Sequence, residues 1–302
     1  MPKQDIVTIG ASAGGVEALK TIVAGLPAAI LVVEHIGGGI NGKSFLPEIL
    51  TRAGPLPAAN PRPGEKMRKG KIYVAPPDRH LLVEDGHLHV FRGPRENGTR
   101  PAINPLFRSA AAAYGNRVAG VILTGMLDDG VAGLAEIKRR GGVAVVQDPQ
   151  TALYSSMPLN ALEYVDVDHI APLIEIAGLI TTLATTEREA VEPRDEPVVR
   201  TPTNLTCPEC RGPIHQEQQG RIIEYRCRVG HVYSPATIEQ EQDATVERAL
   251  WSAVLTLEEA ADMAEKFGNE LGEEAAEKVR RKRSDAAVLR QILEGSSSAK
   301  RK

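Results

Sequence analysis

The chain has 302 residues, 42% hydrophobic and 25% charged, which predicts one or two globular domains with a sizeable core. A net charge of −3 offers no basic field for nucleic acid or anionic lipid, and 4% aromatic residues leave few platforms for stacking bases. No apolar run reaches membrane-spanning length and the first residues lack the apolar stretch of a signal peptide, so the expectation is a cytoplasmic protein with no nucleic-acid partner and no membrane insertion.

Strands and helices alternate through the first part of the chain. Residues 6–9 form a β-branched run that ends at Gly10, and 16–26 reads as a helix. A second strand at 30–33 and a helix near 44–52 follow. This alternation predicts an α/β fold, a doubly wound and mostly parallel sheet with helices on both faces. The pattern changes at 71–75, 81–84 and 87–91, three short strands, the last two joined by Asp85-Gly86, a two-residue hairpin signal. They predict an antiparallel hairpin on the edge of the sheet. Alternation resumes with a helix at 105–114, a strand at 118–123, a helix at 131–140, a strand at 143–146 and a last helix at 170–184.

Three positions stand where parallel strands end, the edge at which open α/β folds gather reacting groups. Gly10-Ala11-Ser12-Ala13-Gly14 follows the first strand and opens a helix, the setting of a nucleophile elbow. Ala13 N–H is the candidate oxyanion donor, because helix N-termini present free N–H groups and a positive dipole end. Two other readings of the turn stay open: a serine N-cap, and a dinucleotide site in which Gly10, Ser12 and Gly15 approximate G-x-G-x-x-G and Glu34 meets a ribose. His35 follows the second strand. Thr124-Gly125-Met126-Leu127-Asp128-Asp129-Gly130 follows a third, with one acid available as a helix cap and the other to orient an imidazole. Serine, histidine and aspartate from three strand ends predict Ser12, His35 and Asp129 as a catalytic triad.

Four ordered blocks then resemble the signature of the CheB chemotaxis methylesterase family. They are Ile9 to Gly15, Val32 to His35, Arg100 to Ser109 and Leu123 to Gly130, with Gln147-Asp148 and Ser156-Met157-Pro158 continuing the match over about residues 5–185. The resemblance implies a serine carboxylic-ester hydrolase of signal transduction. Ser12 would be its nucleophile, His35 the base and Asp129 the orienting carboxylate, with Ala13 and Met126 in the active-site loop. Substrates would be glutamate methyl esters, and in many members glutamines, on chemoreceptor helices; no cofactor would serve catalysis. The sequence departs from the family at Ala13, Glu34 and Gly37 to Gly39, where threonine, glutamine and Met-Pro are usual. No receiver pattern precedes residue 5, so no response to phosphodonors is expected, and any restraint on the site would come from the C-terminal part.

All three cysteines lie within 21 residues: Cys207-x2-Cys210-x16-Cys227-x3-His231. Paired ligands on a short β-like module predict a closed structural zinc site, with His215 as a substitute ligand. The predicted division is 1–185 catalytic, 186–204 linker, 205–235 zinc module and 236–302 helical tail. A contrasting reading is a non-catalytic signalling adaptor whose module and tail bind a partner.

Overall fold

The computed structural model describes residues 3–26, 29–35, 43–187, 191–267 and 272–299. Its strands are β1 (Ile6–Ala11), β2 (Ala29–Glu34), β3 (Ala58–Ala59), β4 (Glu65–Lys66), β5 (Ile72–Val74), β6 (His80–Glu84), β7 (His87–Phe91), β8 (Val118–Ile122), β9 (Val143–Gln147), β10 (His169–Ala171), β11 (Val199–Thr206), β12 (Pro213–Gln219), β13 (Ile222–Cys227) and β14 (Val232–Tyr233). Its helices are α1 (Gly15–Val23), α2 (Leu46–Ala53), α3 (Ile103–Tyr114), α4 (Val131–Arg139), α5 (Ser156–Tyr164), α6 (Leu173–Thr185), α7 (Pro235–Phe267) and α8 (Gly272–Ala299).

A seven-stranded sheet in the order β10-β9-β8-β1-β2-β5-β3 forms the centre, and its pairings are all parallel. The β1 sequence IVTIGA is buried at every position, as a strand covered on both faces must be. Successive residues therefore feed two cores. Leu31 and Val33 join Phe107, Leu134 and Met157 of α3, α4 and α5 on one face. Ile30 and Val32 join Leu19, Leu50 and Ile176 of α1, α2 and α6 on the other. The predicted doubly wound α/β architecture is present.

Several boundaries differ from the sequence reading. The 81–84 and 87–91 hairpin does not extend the parallel sheet: β6 and β7 form a separate three-stranded antiparallel sheet with β4. Leu81, Val83 and Leu88 instead bury themselves against the α3 core. Residues 71–75 hold β5, a parallel strand of the central sheet. The final helix starts at Leu173, because 169–171 pair with β9 as an edge strand.

Contacts divide the chain into two compact units, Met1–Ile238 and Glu239–Lys302. The first unit includes the cysteine-bearing sheet β11-β12-β13-β14. Within the charged segment at 186–204, β11 begins at Val199 and Arg194 N–H bonds to Arg139 O. In the second unit α7 and α8 pack through Val254, Ala286 and Leu293, and Arg290 to Glu258 and Arg283 to Glu265 pair across them in antiparallel order. Gly37 to Gly39 and the expected helix break beginning at Gly268 lie outside the described residues, except that α8 starts at Gly272. No helix among the described residues is long and apolar enough to cross a membrane.

Candidate active site and metal cluster

β1 is the strand from which the order reverses, toward β2 on one side and β8 on the other. The crevice at such a reversal is where open α/β sheets bind ligands. Ser12, His35 and the 124–130 loop leave the carboxyl ends of these three strands, so sequence-distant residues meet there.

The turn after β1 needs its glycines. A Cβ at Gly10 would lie 2.5 Å from Ile103, and Gly14, the N-cap of α1, has φ 78°. Gly125 lets the opposite loop approach: a Cβ there would meet Ser12 Cβ at 3.0 Å and Met157 at 2.5 Å. Thr124 ties the two loops together. Its hydroxyl donates to Ala13 O at 3.0 Å, its carbonyl accepts Ser12 N–H at 3.1 Å, and Gln147 accepts its N–H at 2.9 Å.

Ser12 Oγ lies 3.1 Å from His35 Nδ1, and His35 Nε2 lies 2.8 Å from Asp129 Oδ2. The series is satisfied by one tautomer: Nε2–H donates to the carboxylate and bare Nδ1 accepts the serine proton. Thr99 Oγ stands 3.4 Å from the same Nε2. Asp129 is 3% exposed and accepts from Ile103 N–H at 2.6 Å, Gly130 N–H at 3.0 Å and Asn97 Nδ2 at 3.3 Å. Burial alone would raise its pKa, but the bonds from His35 and the backbone of Ile103 and Asn104 hold it below the ordinary carboxylate range. It therefore stays ionised beside the imidazole. Asp128 differs: burial raises it, partly offset by a bond from the Ser234 hydroxyl at 2.8 Å.

Glu34 presents no exposed carboxylate, as the dinucleotide reading would need. It is buried, its Oε2 lacks a partner among the described residues, and a Cβ at Gly15 would lie 2.0 Å from that oxygen. Desolvation pushes Glu34 up to about 8, which leaves a neutral acid under the serine turn at neutral pH.

A second constellation lies on the cysteine sheet. The ligand atoms of Cys207, Cys210, Cys227 and His231 all fall within 4.8 Å of one another. Cys210 Sγ is 3.6 Å from Cys227 Sγ, and His231 Nδ1 is 3.4 and 3.6 Å from the sulfurs of Cys227 and Cys207. Tetrahedral zinc with Zn–S of ~2.3 Å and Zn–N of ~2.0 Å places sulfurs about 3.8 Å apart and sulfur and nitrogen about 3.5 Å apart. The donor set therefore fits a closed four-ligand ion. Glu209 accepts at His231 Nε2, 3.2 Å away, which orients the ring with Nδ1 toward the sulfurs. His215 is not in this cluster; its Nε2 pairs with Glu217 at 3.1 Å.

Residues absent from the sequence-based site turn out to hold it. Asn97, Thr99, Thr124 and Gln147 all touch the triad or its loops. Gln147 lay in a signature block, and Asn97-Gly98 has the look of a turn, but nothing in the sequence points the Asn97 amide inward.

A serine, an imidazole and a buried carboxylate in hydrogen-bonded series, at the reversal point of a parallel sheet, have the form of a serine hydrolase. The chain belongs to the CheB methylesterase family, whose sequence profile matches residues 7–180. A Leptospira interrogans protein bearing a provisional protein-glutamate methylesterase/protein-glutamine glutaminase name is 41% identical over 184 residues, 59% of this chain and 94% of that protein. An Anaeromyxobacter dehalogenans protein-glutamate methylesterase/protein-glutamine glutaminase 2 is 39% identical over 183 residues, and there the matched stretch spans 53% of the relative. The crystal structure of the Thermotoga maritima CheB methylesterase catalytic domain superposes with a TM-score of 0.55 at 31% identity, covering 61% of this chain and 99% of that domain.

Proposed function

We propose that this chain is a protein-glutamate methylesterase acting on methylated chemoreceptor-like helices, with glutamine deamidation as a second activity of the same site. The observation that carries the reading is the Ser12–His35–Asp129 series within a family-matched domain. Ser12 Oγ attacks the ester carbonyl while His35 Nδ1 takes its proton. The tetrahedral intermediate collapses, the C–O bond breaks, and methanol leaves with the proton returned by His35. Water, deprotonated by the same nitrogen, then hydrolyses the acyl-enzyme to glutamate and free serine. With a glutamine side chain, ammonia leaves in place of methanol. Asp129 fixes the tautomer and stabilises the imidazolium. Ala13 N–H and Met126 N–H are the donors assigned to the oxyanion; neither donates a backbone hydrogen bond among the described residues.

The reaction needs no cofactor in this scheme. The Cys207, Cys210, Cys227 and His231 set is assigned a structural zinc ion, since four protein ligands leave no position for a reacting water. Three free thiols gathered on one metal site suit the reducing cytoplasm. The test incubates the full chain with methylated receptor helices and follows methanol release and peptide mass. A loss of 14 mass units per methyl ester, abolished in Ser12→Ala, is expected; unchanged masses with wild-type protein would refute the reading.

A further inference from the structure

The cysteine module is docked on the triad through one side chain. Strand β14 follows the cluster ligand His231 directly and lies along residues 95–97. Val232 N–H donates to Arg95 O at 3.3 Å, and Asn97 N–H donates to Val232 O at 2.8 Å. The next module residue but one, Ser234, donates its backbone N–H to Asn97 Oδ1 at 2.8 Å. With Oδ1 committed to the module, the Asn97 amide has its NH2 group left for Asp129, 3.3 Å from Oδ1 of that carboxylate. Asn97 is 7% exposed and holds φ 49°, so the residue is packed in one conformation. The same module touches the neighbouring acid: the Ser234 hydroxyl donates to Asp128 Oδ1 at 2.8 Å. A third tie joins Arg108 of α3 to Glu224 of β13 at 3.1 Å, and to Glu96.

We infer that Asn97 is a positioning residue for the triad carboxylate and that the cysteine module sets its orientation, so the module is a working part of the active site. The inference rests on the triad reading above. Asp129 carries two oxygens with separate tasks: Oδ2 receives His35 and Ile103 N–H, while Oδ1 receives Asn97, Gly130 N–H and, at 3.4 Å, Asn104 N–H. Asn97 supplies the only side-chain donor to Oδ1 among these contacts, and its direction is chosen by the Ser234 N–H. An amide turned by 180° would aim its oxygen at an ionised carboxylate, which is repulsive. Ligand geometry at Cys227 and His231 reaches β14 through the Cys227 N–H to His231 O bond of 3.0 Å. An intact cluster therefore supports catalysis, the opposite sign from a tethered module that covers and inhibits the site.

The test uses the full chain and a small activated ester, p-nitrophenyl acetate, which needs no receptor contacts. Asn97→Gly keeps the left-handed backbone and deletes the amide. Its kcat is expected to fall about 10- to 100-fold with KM within about twofold, because misplacing a catalytic group acts on the chemical step. The rate of Ser12 phosphonylation by a fluorophosphonate, in which Oγ bonds phosphorus, fluoride leaves and His35 takes the proton, is expected to fall in parallel. Cys227→Ser, which breaks the cluster, should reproduce the kcat loss in the wild-type background and add little to Asn97→Gly, as two steps in one linkage do. Asn97→Gly with unchanged kcat and labelling rate would overturn the inference, as would a Cys227→Ser loss of equal size in both backgrounds. Ser12→Ala separates this from failure of the triad itself: if it still turns over the ester, the triad reading has failed, and if it is dead while the Asn97 variant is normal, only the present inference has.

Discussion

The triad edge and the cysteine cluster are assembled by opposite strategies. Ser12, His35 and Asp129 come from three strand ends, with the histidine and the aspartate 94 positions apart in sequence, and meet because the sheet reverses at β1. Cys207, Cys210, Cys227 and His231 are near one another in sequence already, and two tight turns on one antiparallel sheet bring their donor atoms together. The first site is made by long-range topology, and the second by turns within one small antiparallel sheet. The difference predicts that damage to the triad is felt as rate alone, and damage to the cluster as loss of local order first and, through Asn97, as a smaller loss of rate.

The largest effect should follow Ser12→Ala: loss of ester hydrolysis by about four orders of magnitude or more, with the melting curve unchanged. Initial rates on a methyl-ester peptide measure it. Asp129→Asn should come next, at ~10³- to 10⁴-fold in kcat, because an amide does not fix the same imidazole tautomer. Asp128→Asn should cost far less, since that acid meets Ser234 and Thr237 and not His35. An Asp128 variant slower than the Asp129 variant would reverse the assignment of the two carboxylates.

For the cluster, elemental analysis should find one zinc per chain, and chelation should remove protection from hydrogen exchange in β12–β14 before the central sheet opens. Simultaneous loss of both would erase the contrast between the two sites.

A smaller effect is expected at Glu34. Its folded pKa near 8 lies above the ordinary carboxyl value of 4.5, so the native state keeps a proton that the unfolded chain releases. Stability from this group is full below pH ~4.5 and declines as pH rises toward 8. Glu34→Gln should remove that decline, and the stability gap between variant and parent should widen from pH 5 to 8, to on the order of a few kcal/mol. A gap that stays flat in urea titrations across that range would mean the carboxyl is ionised in place. Smallest of all, Ser234→Ala should cost about 1 kcal/mol as a lost N-cap, because the hydroxyl accepts Thr237 N–H at 3.1 Å.

How far each site could be read from sequence follows from the same contrast. The cysteine spacing is a local pattern that points to Cys207, Cys210 and Cys227 directly, while the histidine stays open in sequence between His231 and His215 until the fold brings the His231 donor atom to the sulfurs. The triad was legible only through the rule that parallel strands end on one edge, applied to three short buried runs, with the four family blocks making the choice among serine readings. What stayed illegible was orientation and pairing. The Asn97 amide is turned by the backbone of Ser234, just past β14 and 137 positions away in sequence. The β6–β7 hairpin was visible in its alternation and its Asp-Gly turn, but which sheet it joins depends on packing against α3. β3 and β4 have two residues each, too few for any period to register. The edge strand β10 was absorbed into a helix reading because Ile170 and Ala171 also suit the apolar face of α6.

The N-cap at Ser234 has a consequence for motion. One hydroxyl accepts the Thr237 amide that closes the first turn of α7 and donates to Asp128 in the loop that follows β8. Fraying of that turn therefore moves the donor that Asp128 uses, and movement of the loop leaves the capping hydroxyl without its acceptor. Local opening at these two places is coupled through that hydroxyl, so Ser234→Ala should raise hydrogen exchange both at the Thr237 amide and at the amides of residues 128–130.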